Sequence, residues 1–167
     1  GYFRGLMLHY FFVNFKTYEE GTGQKALSLA KLLSTFLTGE VEIIAVLQAV
    51  DIKNVCSVVS MNVFAQHCDP VTYGPHTGKV LPEALRQAGA AGTVLNHAEN
   101  KLSNDAIKAT IARCRESGLR TMVCAETLAR AKEIAALSPA PDFIAIEPPE
   151  LIGGDVSVSS AKPGLIS

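Results

Sequence analysis

Short apolar runs alternate with longer amphipathic stretches along almost the whole chain. Six runs stand out: His9–Asn14, Val41–Leu47, 62–66, 92–96, 121–124 and 142–147. They are nearly continuous in apolar character, as in Phe143-Ile144-Ala145-Ile146. A strand with one wet face alternates apolar and polar positions, whereas a continuous apolar run is the pattern of a strand buried on both faces of a parallel sheet. Between the runs, segments 18–37, 49–58, 81–88, Asn104–Glu116 and 126–136 carry helical composition and spacing. Ser103 is placed to cap the start of the fourth helix and Gly118 to stop it. Pro82 falls in a first helical turn, where its missing N–H is harmless.

The strand-to-strand step is about 27 residues, and no hairpin signal interrupts it. Such a repeat predicts a parallel α/β fold with right-handed crossovers. An open doubly wound sheet gathers its ligand groups at one switch point, while a closed barrel draws on the C-terminal end of every strand. Five of the six runs end in polar or ionisable groups: Asn14 with Lys16, Gln48, Gln66 with His67, Asn96 with His97 and Glu99, and Glu147. The remaining run ends at Cys124, followed by Glu126. No GxGxxG follows the first run, and no GxxxxGK[ST] occurs anywhere. The pattern therefore favours a (β/α)8 barrel. Eight units need roughly 215 residues, and 167 accommodate about six. Strands seven and eight are expected to be missing from this sequence. Residues 8–167 are expected to form a partial barrel domain, with 1–7 read as a leader before it.

Composition agrees with one domain that has a substantial core, at 48% hydrophobic and 19% charged residues. Fifteen Lys and Arg against 16 Asp and Glu supply no electrostatic pull toward nucleic acid or an anionic membrane. No apolar run reaches the ~18 residues of a spanning helix. Neither nucleic acid nor membrane is expected as a partner. Cys56, Cys68, Cys114 and Cys124 form no CxxC pair, which argues against a zinc site of the usual spacing. They read as reduced thiols of a cytoplasmic protein. His67, Asp69 and His76 share a long loop, but their spacing matches no metal motif, so no metal is expected.

Three segments could carry chemistry. Asn14-Phe15-Lys16 places a cation beside an amide at a strand end, where it can bind a phosphate or an oxyanion. The alternative is an exposed lysine on the way into the first helix. Asn96-His97-Ala98-Glu99 brings an imidazole and a carboxylate together before a helix start. A neutral imidazole there can polarise a carbonyl by donating a hydrogen bond, or it can be a satisfied structural histidine. Glu147 is delivered to the rim by four apolar residues and followed by Pro148-Pro149 and Gly153-Gly154. That segment reads either as a base beneath a lid whose glycines admit a phosphate, or as an ordinary turn.

Together these parts suit proton abstraction next to a carbonyl, with stabilisation of an enediolate and no cofactor. Asn14-x-Lys16, Ala65-Gln66-His67 with Gly74-Pro75-His76-Thr77-Gly78, Leu95-Asn96-His97-Ala98-Glu99, and Ala145-Ile146-Glu147-Pro148-Pro149-Glu150-Leu151-Ile152-Gly153 resemble, in order, the signatures of the triosephosphate isomerase family. A glutamate base beside a neutral histidine under a closing loop is the established pattern of that enzyme. The likeness is strongest to its compact archaeal branch. It implies a TIM barrel, here about the first six of its eight units, and interconversion of dihydroxyacetone phosphate and glyceraldehyde 3-phosphate in glycolysis and gluconeogenesis. Glu147 would move the proton, and His97 would polarise and protonate the oxygens. Asn14, Phe15 and Lys16 would hold the substrate, and the backbone of Ile152 and Gly153 would clasp its phosphate. The loop around Gly74–Gly78 would pack into a neighbouring subunit, Thr77 near its site, giving a homo-oligomer (dimer or tetramer). Ala98 departs from the family's usual serine, and Leu47 from a frequent proline. The missing strands would take part of the phosphate site with them, so the 167-residue chain alone is expected to be inactive. Other readings are a non-catalytic partial barrel serving as an assembly or binding module, and another phosphosugar isomerase or epimerase.

Overall fold

The computed structural model describes residues 8–148. The expectations for residues 1–7 and for the lid beyond Pro148, with Ile152 and Gly153, lie outside that range. Six strands and five α-helices alternate: β1 His9–Asn14, α1 Gly23–Ser34, β2 Val41–Leu47, α2 Ala49–Cys56, β3 Val63–Ala65, α3 Pro82–Ala88, β4 Gly92–Leu95, α4 Asn104–Glu116, β5 Arg120–Ala125, α5 Leu128–Ala135 and β6 Phe143–Ile146. The strands form one parallel sheet in chain order. This is the strand–helix succession expected of the first six units of a barrel. None of the described helices is long and apolar enough to cross a membrane.

The sheet has two dry faces, which is why its strands are continuously apolar. Outward-pointing Ile43, Ala45, Leu47, Val63, Ala65, Leu95, Val123 and Ala125 pack with the helices, including Ile52, Ile107, Ile111 and Ile134. Inward-pointing Ile44, Val46, Phe64, Val94, Met122 and Cys124 form a second cluster with Phe12, Phe143 and Ala145. The sheet curls until inner rings of the first and sixth strands meet, with Tyr10 and Phe143 centroids 5.0 Å apart. Phe12 lies 5.3 Å from Phe143 and 5.4 Å from Phe64. The Arg120 guanidinium stacks on Phe64 and Phe143 at 5.7 and 5.6 Å. Gly92 makes this packing possible: a Cβ there would come within 2.5 Å of both the Phe64 ring and the Arg120 carbonyl.

Local signals fall where the sequence puts them. The Ser103 hydroxyl accepts from the Ala106 amide at 3.2 Å, Pro82 opens α3, and Gly118 follows α4 at φ +76°. The first helix is the exception, because 18–37 is not continuous. A 3-10 turn, Glu19–Gly21, precedes α1, whose first residue, Gly23, sits at φ +60°. Gly21 is buried, and a Cβ on it would meet the Phe15 carbonyl at 2.5 Å. The α1 start is instead held by Asp51 of α2, whose carboxylate accepts from the Gly23 amide at 3.1 Å.

The long loop between β3 and α3 is pinned by charge. Asp69 and Val80 exchange two bonds: the Asp69 amide donates to the Val80 carbonyl at 3.0 Å, and the Val80 amide to the Asp69 carboxylate at 2.7 Å. The second Asp69 oxygen meets His67 Nε2 at 2.9 Å; among the described residues no third group joins them to make a metal cluster. From α4, the Arg113 guanidinium donates to the Val71 carbonyl at 3.1 and 3.0 Å and to Glu83 at 2.5 Å. Burial alone would raise the Asp69 carboxyl, but the Val80 amide, the His67 ring and Lys79 bring it below its ordinary 3.8. The Arg113 guanidinium holds Glu83 below its ordinary 4.5. Both folded-state values are depressed, so this stabilisation is complete above those ordinary values and is lost as acid passes through the lower ones. Hydrogen exchange at the Val80 amide should accelerate below about pH 4 relative to core amides of β5. Equal acceleration in both places would mean that the carboxylates do not hold the loop.

Candidate active site

At the C-terminal ends of four strands the inward phase passes from apolar to polar residues. Asn14 continues Tyr10 and Phe12, Gln66 continues Phe64, Asn96 continues Val94, and Glu147 continues Phe143 and Ala145. Of these, Asn14 and Gln66 line a cavity of ≈ 410 Å³ at the C-terminal ends of the strands, while Asn96 and Glu147 lie just past the ends of their own strands, outside its lining. Val46 and Val94 give it apolar surface, and Asn14, Lys16, Gln66, His67, His97 and Glu99 give it polar surface, with Thr17, Tyr18 and Asn100 completing the wall.

Lys16 is fixed from several directions. Its backbone adopts φ +49°, uncommon for a side chain of this kind. Asn14 Oδ1 accepts from its amide at 2.9 Å, and Gln66 Nε2 donates to its carbonyl at 2.8 Å. The ammonium bonds the Glu99 carboxylate at 3.0 Å and stands 5.9 Å from the Tyr18 ring. The bond to Glu99 raises its pKa above the ordinary 10.5, against the opposing effect of burial. Phe15 is placed differently from its neighbours. Its ring is buried in the outer core at 3% exposure, and its amide bonds the Val46 carbonyl at 3.0 Å.

His97 begins the turn after β4 and is only 9% exposed. The Glu99 amide donates to its Nδ1 at 3.1 Å. Glu99 Oε2 also lies 3.4 Å from Nδ1, a contact that a protonated nitrogen would favour. The Glu99 amide hydrogen is directed at Nδ1, while Lys16 takes the other carboxylate oxygen, Oε1. That contact makes Nδ1 the acceptor and assigns the ring proton to Nε2. Nε2 faces Glu147 Oε2 at 3.6 Å. That gap is too long for a hydrogen bond, so both groups remain available to a third molecule. The Glu147 amide is anchored to the Ala125 carbonyl at 2.8 Å. Cys124, below it, is pushed up to about 12, first by burial and then by the Glu147 charge.

The structure thus brings Asn14, Lys16, His97 and Glu147 to one rim. Sequence reading had not assigned Gln66 or Glu99 a part in the site. Their signals were present: Gln66 keeps the inward phase of β3, and Glu99 is two residues from His97. The long-range bond between Glu99 and Lys16 has no local signature. The arrangement offers an N–H donor and an ammonium on one small cavity, with the Glu147 carboxylate 3.6 Å from the donor.

The family model described as triosephosphate isomerase matches residues 9–167. The triosephosphate isomerase of Methanobrevibacter smithii is 41% identical over 155 residues, covering 92% of this chain and 69% of that protein. That of Methanocaldococcus jannaschii is 40% identical over the same length, covering 92% and 70%. That of Methanoculleus marisnigri is 43% identical, covering 92% and 69%. Among solved structures, the triosephosphate isomerase of Bartonella henselae superposes with a TM-score of 0.69 at 23% identity. The match covers 84% of this chain and 68% of that one, and bears on the fold.

Proposed function

Because the chain belongs to the triosephosphate isomerase family, we propose that Glu147, His97 and Lys16 perform its reaction, the interconversion of dihydroxyacetone phosphate and glyceraldehyde 3-phosphate in glycolysis. The observation that carries this assignment is the unbonded 3.6 Å gap between His97 Nε2 and the Glu147 carboxylate, with His97 also lining the cavity that holds Lys16. Glu147 takes a proton from the carbon next to the carbonyl while Nε2–H donates to the carbonyl oxygen. Charge that develops on that oxygen is met by a donor already in place, with little reorganisation. The proton then returns to the neighbouring carbon, and the His97 ring gives a proton to one oxygen and takes one from the other, so the hydroxyl and carbonyl exchange positions. No electron acceptor is consumed, since the two sugars are isomers. Asn14 and Gln66 hold the Lys16 backbone, and Lys16 supplies positive charge to the phosphorylated substrate. The Phe15 backbone supports the same strand end, and Ile152 and Gly153 are assigned to the phosphate.

A phosphorylated triose is the substrate class of the family, and neither an assembly module nor an epimerase is favoured by relatives that share its name. We place the protein in the cytoplasm as a homo-oligomer joined through the loop around Gly74–Gly78, whose residues are exposed in the described chain. Lys16→Met tests the site, because it keeps the stem and deletes the charge. In the intact enzyme KM should rise about tenfold or more, corresponding to ~1.4 kcal/mol or more. An unchanged KM would remove Lys16 from substrate binding.

A further inference from the structure

We propose that Asn96 is a positioning residue that fixes the tautomer and direction of the His97 ring and sets the His97 turn against the strand ends that carry Glu147. The catalytic consequence rests on the role assigned to His97 above; the effect on the ring does not.

Asn96 occupies φ +59°, a backbone region that asparagine tolerates better than most residues and glycine better still. Were the backbone angle the only requirement, glycine would serve. The asparagine side chain makes two further bonds that glycine cannot. Its Nδ2 donates to the Cys124 carbonyl at 2.8 Å, and its Oδ1 accepts from the Leu102 amide at 2.8 Å. Both partners are backbone groups, so one partly buried side chain ties three stretches of main chain together.

Each tie bears on His97. The bond to Leu102 closes the turn that begins at His97, inside which the Asn100 amide donates to the His97 carbonyl at 2.8 Å. That turn aims the Glu99 amide at Nδ1, and this contact puts the ring proton on Nε2. The bond to Cys124 fixes the same turn laterally onto β5. The next carbonyl along, that of Ala125, receives the Glu147 amide at 2.8 Å. His97 and Glu147 are therefore registered through adjacent carbonyls of a single strand. Their 3.6 Å separation depends on Asn96 through main chain.

Asn96→Gly separates bonding from backbone strain, because glycine keeps the positive φ and loses both side-chain bonds. In the intact enzyme, kcat is expected to fall about tenfold with KM within about twofold, since small misplacement of a reacting group acts mainly on the transition state. The 15N resonances of the His97 ring should lose the signature of a single Nε2–H tautomer and move toward a mixture. Asn96→Asp keeps the acceptor for Leu102 and loses the donor to Cys124; it should fall between wild type and glycine, and it carries the test if the glycine variant does not fold. An unchanged tautomer signature in the folded variant overturns the inference, whatever happens to the melting temperature or to kcat. A lost signature with unchanged kcat would uphold the positioning and overturn the catalytic role given to His97.

Discussion

Glu147→Gln is expected to lower kcat about 10³-fold while KM stays within a few-fold. The amide keeps the volume and hydrogen-bonding reach of the carboxylate but cannot take a proton. Its absence therefore falls on the step in which carbon becomes acidic, at a cost of roughly 4 kcal/mol. Little stability should be lost with it, because the side chain is 47% exposed and its anchor to the Ala125 carbonyl is a backbone bond. Steady-state assay in both directions, beside a thermal melt, checks this. A variant that retains more than about a tenth of the wild-type kcat, a barrier change of only ~1.4 kcal/mol, would exclude Glu147 as the base.

The second large effect belongs to His97. His97→Gln should reduce kcat by about 10²-fold, as expected when one preorganised donor to a developing oxyanion is disturbed. A glutamine amide can still donate, but its longer stem is not held by the Glu99 amide in the way the ring is held at Nδ1. The two variants should also fail to add: the base and donor act in one step, so the double variant should cost less than the sum of the singles. A single variant within threefold of wild-type kcat would make the imidazole a structural group.

Much of this site was readable because strand phase and chemistry coincide. Once Ile44 and Val46 point inward, every second residue of the neighbouring strands does so too, and following that count reaches Asn14 at the end of β1 and Gln66, Asn96 and Glu147 just past the ends of β3, β4 and β6. A one-residue slip of β6 would send Glu147 outward together with Phe143 and Ala145. What local pattern could not supply was contact between distant segments. Nothing in the run from 18 to 37 announces that Gly21 must lie against Phe15, so one helix was expected where a 3-10 turn and a shorter helix occur. Phe15, flanked by two polar site residues, looked like part of the binding surface, but its own side chain lies on the opposite, outer face of the strand. The Glu99 bond to Lys16 and the Asn96 bond to Cys124 join different strand ends and leave no periodic trace.

The meeting of Tyr10 with Phe143 links residues more than 130 positions apart in the chain. A contact of that span repays its loop-closure entropy only after the intervening parallel strands have found their partners. The aromatic seam should thus be among the last structures to consolidate during folding. Substitutions within it, Phe143→Leu for example, would then be felt mainly as faster unfolding, with the folding rate little changed. The seam's main contribution would be to the lifetime of the native state, distinct from the speed with which that state is reached.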